Sequence, residues 1–309
     1  MIDVVLNAMT WDVNPDIITD PIRVRWYGVM FASGFLLAYP FIKRIFNHEN
    51  VSIETLDKMV LYAMVATVLG ARFGHVFFYG PYYTPDGTGY FDDPKTIFYV
   101  WEGGLASHGG AIGLIIAMWL FAKYVTKRSI LWGLDRLVIG TALAGCFIRL
   151  GNLFNSEIAG KITDSGWGWH FPRYINPEGS EYHGWSDATL SQHLGETVYR
   201  YPTQIIEASA YLAIFGILMY MYWRKNAGKI HGMLFGAFLV LVFGVRILVE
   251  FIKENQADSD IGSSLNMGQK LSIPLVLAGI FFLYAGYKKW FGTTDDHKGD
   301  PNPEPSSSS

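Results

Sequence analysis

The chain has 309 residues, half of them hydrophobic, 16% aromatic and only 17% charged, with a net charge of −3. A soluble domain carries about 25% charged residues, so this composition indicates a polytopic membrane protein. No basic block with interleaved aromatics marks a nucleic-acid partner, and the single cysteine, Cys146, excludes an intrachain disulfide or an all-cysteine metal site and reads as a small buried apolar residue.

In chain order, the stretch from Met1 to Pro21 holds Asp3, Asp12, Asp16 and Asp20 and no positive segment leading into an apolar core, so it does not read as a cleavable signal peptide. From Trp26 the chain turns apolar. Helices are expected at about 26–46, 57–80, 105–125, 131–150, 203–223, 231–252 and 270–290, each near the ~20 residues that a bilayer requires. The fold class is therefore an all-α polytopic membrane protein of seven transmembrane helices, with residues 1–292 as one transmembrane domain. Residues 153–200 form its longest insertion, and Trp167, Trp169, Phe171, Tyr174 and Trp185 suggest a small folded cap. The Pro- and Ser-rich tail, 293–309, reads as disordered.

Lysines and arginines set the orientation. Lys43, Arg44 and Lys58 flank the first connection, Lys123, Lys127 and Arg128 the third, and Arg224, Lys225 and Lys229 the fifth, while Lys288 and Lys289 follow the last helix. By the positive-inside rule the N-terminus lies outside, the C-terminus is cytoplasmic, and the insertion is on the outer side. Trp26, Tyr27, Tyr79, Tyr82, Tyr83, Trp101 and Trp290 fall at helix ends, as aromatic belts do.

Polar residues inside these apolar segments are expensive and mark function or a packed interior. Arg23 and Tyr27 open helix one, and Arg72 and His75 share a face of helix two. The glycine-rich run from Gly103 to Gly110, with Ser107 and His108 inside it, begins helix three and offers free backbone N–H groups to an anion. Cys146 to Gly160 places Arg149, Asn152, Asn155 and Glu157 at the end of helix four. Arg246 and Glu250, four apart on helix six, could pair across one turn, either as a structural salt bridge or as part of a site. On the expected topology all of these lie at the outer side. Arginine forks there suit a phospholipid phosphate, and a histidine or carboxylate could take a proton from a nucleophile. A membrane enzyme and a seven-helix transporter or binder of an anionic lipid both remain open on these grounds.

The stretch Arg149-Leu-Gly-Asn-Leu-Phe-Asn-Ser-Glu157, with Gly160 three residues on, resembles the signature of the bacterial prolipoprotein diacylglyceryl transferases. Ile148 and Ser156 stand where that family usually has Gly. Arg23-Val-Arg-Trp-Tyr-Gly, Gly70-Ala-Arg-Phe-Gly, Ser107-His-Gly-Gly, Tyr201-Pro-Thr-Gln-Ile-Ile-Glu207 and Gln269-Lys-Leu-Ser-Ile-Pro274 are similar to further family motifs. The resemblance implies transfer of the diacylglyceryl group of phosphatidylglycerol to the lipobox cysteine in a prelipoprotein signal peptide. A thioether forms and glycerol phosphate is released, at the periplasmic side of the bacterial inner membrane, without metal or organic cofactor. It further implies that Arg149 and Arg246 bind and polarise the phosphoglycerol. Tyr27, Arg72, Asn152, Glu157 and Glu250 would position the lipid head or orient those arginines, Gly160 would hold the turn, and His108 is the position offered as base.

Overall fold

The structure is a computed structural model that describes residues 9–20, 23–79, 90–99, 104, 106–177, 182–254 and 265–294. Tyr82, Tyr83, Trp101, Gly103, Leu105 and the tail beyond residue 294 lie outside the described residues. Two short antiparallel strands, β1 (Asp16–Ile18) and β2 (Val24–Arg25), precede the helices α1 (Trp26–His48), α2 (Ile53–Tyr79), α3 (Ser107–Phe121), α4 (Ile130–Phe154), α5 (Asp187–Leu194), α6 (Thr203–Lys225), α7 (Met233–Val249) and α8 (Met267–Tyr287). Among the described residues, six helices are long and apolar enough to cross a membrane: α1, α2, α3 with the π turn that follows it, α4, α6 and α8. The chain is therefore a polytopic helical protein.

The sixth expected span is shorter than the sequence suggests. Gly232 sits at φ +84° and starts α7 late, and the helix ends at Val249, leaving 17 residues. At 1.5 Å per residue that is about 25 Å, against a hydrocarbon core of about 30 Å. In the opposite direction, α4 continues one turn beyond its expected end and carries Gly151, Asn152, Leu153 and Phe154 into the helix.

The chain divides into two compact units, Met1–Phe41 with Val138–Gly292, and Ile42–Leu137 with Thr293–Ser309. In the second unit, α2 and α3 meet backbone to backbone. A Cβ at Gly109 would lie 2.3 Å from the Gly70 carbonyl oxygen and 2.6 Å from Gly74 Cα, so only glycine permits the approach. Arg72, on the same helix as Gly70, is 3% exposed and donates to the carbonyls of Thr96, Ile97 and Gly104, and to the Tyr90 hydroxyl. It clamps that stretch of chain onto α2. Elsewhere in the unit, Arg136 donates to Glu49 from Nη2 at 2.7 Å, and Trp132 Nε1 donates to the same carboxylate at 3.0 Å.

In the first unit α7 and α8 approach through Gly236 and Gly279, where a Cβ on the former would meet Leu283 N at 2.8 Å. The expected cap is folded around Phe171 and Tyr174, which pack with Leu153 and Ala159, while Trp11 and Trp169 lie against them. Trp167 and Trp185 are not part of that core: the former is 81% exposed at a turn and the latter 39%. The centre of the cap is a residue that its aromatics do not announce. Arg200 is fully buried and donates to Asp187 Oδ2 at 2.7 Å, Asn176 Oδ1 at 2.6 Å and Glu254 Oε2 at 2.8 Å, with its guanidinium over the Tyr174 ring. Near the start of α1, Arg23 grips Asp16 through Nε and Nη2, and these hydrogen bonds hold the Asp16 carboxyl below its usual range.

Three stability outcomes follow. Gly109→Ala, whose added methyl meets backbone, should cost about 1–3 kcal/mol in a thermal melt of the detergent-solubilised protein. Gly216→Ala, inside α6 where a Cβ meets nothing within 4 Å, should not lower the melting temperature and should raise it slightly. Arg200→Met strands Asp187 in the cap, and a loss of about 3–5 kcal/mol is expected in the same assay.

Candidate active site

The site grows from the way α4 ends. Ser156 N–H donates to Leu153 O at 2.9 Å and Glu157 N–H to Asn152 O at 3.1 Å, with Ser156 at φ +51°. This is the reverse-bonded closure that turns a chain back on its helix and normally uses glycine at the left-handed position. The turn brings the Glu157 carboxylate over the last helical residues. Its Oε1 accepts Asn152 Nδ2 at 2.8 Å and Asn155 Nδ2 at 3.3 Å, and Asn152 Oδ1 in turn accepts Arg149 Nη1 at 3.3 Å. Gln204 and Thr203, at the start of α6, anchor the turn through Glu157 O and Ile158 O, both at 2.7 Å. Ile158 is also left-handed, φ +58°, a strained conformation for a β-branched residue that the surrounding bonds hold in place.

Arg149 next reaches across to α6. Its Nε lies 3.1 Å from Glu207 Oε2, an ion pair without an aligned hydrogen bond, and its guanidinium stands 5.9 Å from the Tyr211 ring centroid. Glu207 is fully buried, and its other oxygen receives Lys253 Nζ at 3.1 Å. Lys253 also contacts Glu250 Oε1 at 3.3 Å, while Asn266 Nδ2 donates to Glu250 Oε2 at 3.0 Å. Asn266 caps α8 in a reciprocal box with Gln269, so the Glu250 carboxylate rests at the positive end of that helix, beside Gly268. Tyr27, on α1, packs its ring on Gly151 and is within electrostatic reach of Arg149 and Glu157. Gly160 donates to Tyr201 O at 2.9 Å and pairs with Lys253. A Cβ there would lie 2.7 Å from Ile252 O, so glycine lets three strands of chain run side by side.

Arg246 completes the set differently. Its Nε is buried and has no hydrogen-bond partner among the described residues. Lys253 is met by Glu207 and Glu250 and Arg149 by Glu207, whereas Arg246 makes no ion pair with these carboxylates and keeps an unpartnered Nε among the described residues. An unpaired donor in such surroundings favours an anionic ligand.

The comparisons with known proteins agree with this chemistry. A family model for prolipoprotein diacylglyceryl transferase matches residues 16–285. The chain belongs to the prolipoprotein diacylglyceryl transferase family. It is 43% identical over 280 residues to the phosphatidylglycerol–prolipoprotein diacylglyceryl transferase of Tolumonas auensis, covering 90% of this chain and 98% of that protein. The proteins of the same name from Porphyromonas gingivalis and Bacteroides fragilis are 42% and 34% identical over 91% and 92% of this chain, and over 95% and 97% of their own lengths.

Against the expectations for a transferase of this family, the structure brings Tyr27, Arg149, Asn152, Glu157, Gly160, Arg246 and Glu250 into one unit. Arg72 and His108 belong to the other, where His108 stacks edge-on against Phe78 at 4.9 Å and Arg72 gives its donors to the carbonyls described above. The expected Arg246–Glu250 pairing is corrected. Glu250 closes α7 with its N–H donating to Arg246 O, but its carboxylate pairs with Lys253 three residues on and accepts from Asn266 Nδ2, rather than pairing with Arg246. Sequence reasoning gave no role to Glu207 or Lys253. The signal for the former was available, since Thr203, Gln204 and Glu207 share one helical face directly after a proline.

Ser156 supplies a direct test of the turn. Ser156→Gly removes the left-handed penalty and should raise stability by roughly 0.5–1 kcal/mol with turnover retained, read by thermal melt and activity assay. A loss of activity would show that the hydroxyl itself matters.

Proposed function

We propose that this protein transfers the diacylglyceryl group of phosphatidylglycerol to the cysteine thiol of prelipoprotein signal peptides. The observation that carries the reading is the pair of arginines, Arg149 and Arg246, in one unit with buried counter-charges and an unpaired Nε on the second. The names of the relatives support the same reaction and do not favour a transporter. Forming a thioether while releasing glycerol phosphate requires attack of sulfur on the glyceryl carbon. The C–S bond forms, the C–O bond breaks, and its electrons pass to the phosphate oxygen. The leaving phosphate gains a negative charge in that step, and guanidinium donors already in place stabilise it, commonly the largest contribution to such catalysis.

In this reading Arg149 and Arg246 hold the phosphate, Asn152 and Glu157 orient Arg149, and Tyr27 and Gly160 border the lipid head. Glu250 sets the charge around Arg246, and Arg72 acts by holding the chain that precedes α3. The thiol proton passes to His108, or to solvent if the arginines lower a thiol pKa that is ordinarily near 8.5. Seven spans, with α7 as a short one, put the N-terminus outside, the C-terminus in the cytoplasm, and the cap at the periplasmic side of the inner membrane, where lipobox peptides emerge. The lysine and arginine bias of the connections supports that orientation.

The test uses purified protein with phosphatidylglycerol and a lipobox peptide bearing one cysteine. Wild type should add one diacylglyceryl unit to the peptide and release glycerol phosphate in step, and both signals should vanish with a serine peptide. Arg149→Ala and Arg246→Ala should lose turnover by at least about 10²-fold while still folding and inserting, with Arg149→Ala melting lower because the buried Glu207 loses one of its two counter-charges. Near-normal activity in either would refute its role in holding phosphate.

A further inference from the structure

Glu207 is fully buried between two cations that approach opposite oxygens of its carboxylate: Arg149 Nε at 3.1 Å from Oε2 and Lys253 Nζ at 3.1 Å from Oε1. Lys253 is itself 4% exposed. Its neighbour Glu250, in the preceding turn, would suffice as a counter-charge for a lysine that only needed neutralising. Instead the ammonium serves a second carboxylate on α6 as well, which a compact charge with three rotatable donors can do. The backbone fixes where that charge stands. Lys253 N–H donates to Val249 O, Lys253 pairs with Gly160, and Lys161 N–H donates to Ile252 O, so the lysine is tied to the chain leaving the Glu157 turn.

We infer that Lys253 is a positioning residue for the transfer reaction: by sharing the Glu207 carboxylate, it leaves the charge of Arg149 available to the phosphate of the lipid. Without the lysine, the whole carboxylate charge falls on Arg149, and the guanidinium that should attract a phosphodiester is neutralised from behind. Neutralising Glu207 at the same time removes the cause, so the effect of losing the lysine depends on the carboxylate. This inference rests on the reading of Arg149 as a phosphate ligand.

The experiment measures phosphatidylglycerol and peptide dependence separately on purified full-length variants, with melting temperatures. Lys253→Met should raise KM for phosphatidylglycerol on the order of tenfold, the equivalent of ~1.4 kcal/mol, with KM for the peptide unchanged. Lys253→Arg should stay near wild type. The double variant Glu207→Gln, Lys253→Met should recover most of the lost lipid affinity, which a merely structural lysine would not do. If Lys253→Met fails to accumulate, Lys253→Gln is read in its place with the same expectation. A lipid KM that is unchanged in the lysine variants, or a double variant no better than the single one, overturns the inference. Arg149→Ala run in parallel separates the two claims: if it stays active, the phosphate reading itself falls, whereas an inactive Arg149→Ala beside an unaffected Lys253→Met rejects only the lysine.

Discussion

Charge buried in an apolar helical protein must be matched at close range, and the Glu207 carboxylate is where this chain meets that constraint most sharply. It lies on α6 with no exposure, takes Arg149 from α4 on one oxygen and Lys253 from beyond α7 on the other. A lone carboxylate in such a place would carry a desolvation cost of several kcal/mol, and either cation alone would do the same. Together they tie α4, α6 and the end of α7 into one electrostatic unit, and the Glu157 turn, the Gly160 pairing and the α8 cap are arranged around it.

The protein's buried and half-buried arginines divide by how completely their donors are used. Arg200 is surrounded by Asp187, Asn176, Glu254 and the Tyr174 ring, and Arg136 is held by Glu49. Both are consumed in holding chain to chain, as Arg72 is by its three carbonyls. Arg149 and Arg246 differ. The former meets Glu207 without an aligned hydrogen bond and the latter has a buried Nε without any partner. Guanidinium groups left incompletely satisfied are the candidates for holding an anionic ligand.

Backbone strain coincides with the same place. Ser156 and Ile158 both adopt left-handed conformations within three residues, flanking Glu157. Such conformations persist only where surrounding bonds overdetermine them, here through Asn152, Gln204 and Thr203. Their effect is to point a carboxylate back along the helix it has just left, where it fixes Asn152, which in turn receives Arg149.

The sequence by itself determined the class and the apolar helices, and it named most of the residues of the candidate site. Hydrophobic runs near bilayer length are legible because the solvent they answer to is uniform, and Arg149, Asn152, Glu157, Arg246 and Glu250 stand out because polar groups in such runs are costly. The extra turn of α4 and the late start of α7 were not legible, since each is bounded by a left-handed residue, Ser156 after α4 and Gly232 before α7, that hydrophobic periodicity does not reveal. Nor was the partner of Glu250, because its carboxylate is taken by Lys253 and by Asn266 at the start of α8, contacts that the four-residue spacing to Arg246 does not reveal. Lys253 and Arg200 read in sequence as ordinary charges beside loops. Only the tertiary structure, by burying each against carboxylates from distant elements, decided that one holds the cap together and the other completes the network behind Arg149, because pairing between segments far apart in the chain leaves no periodic trace in either.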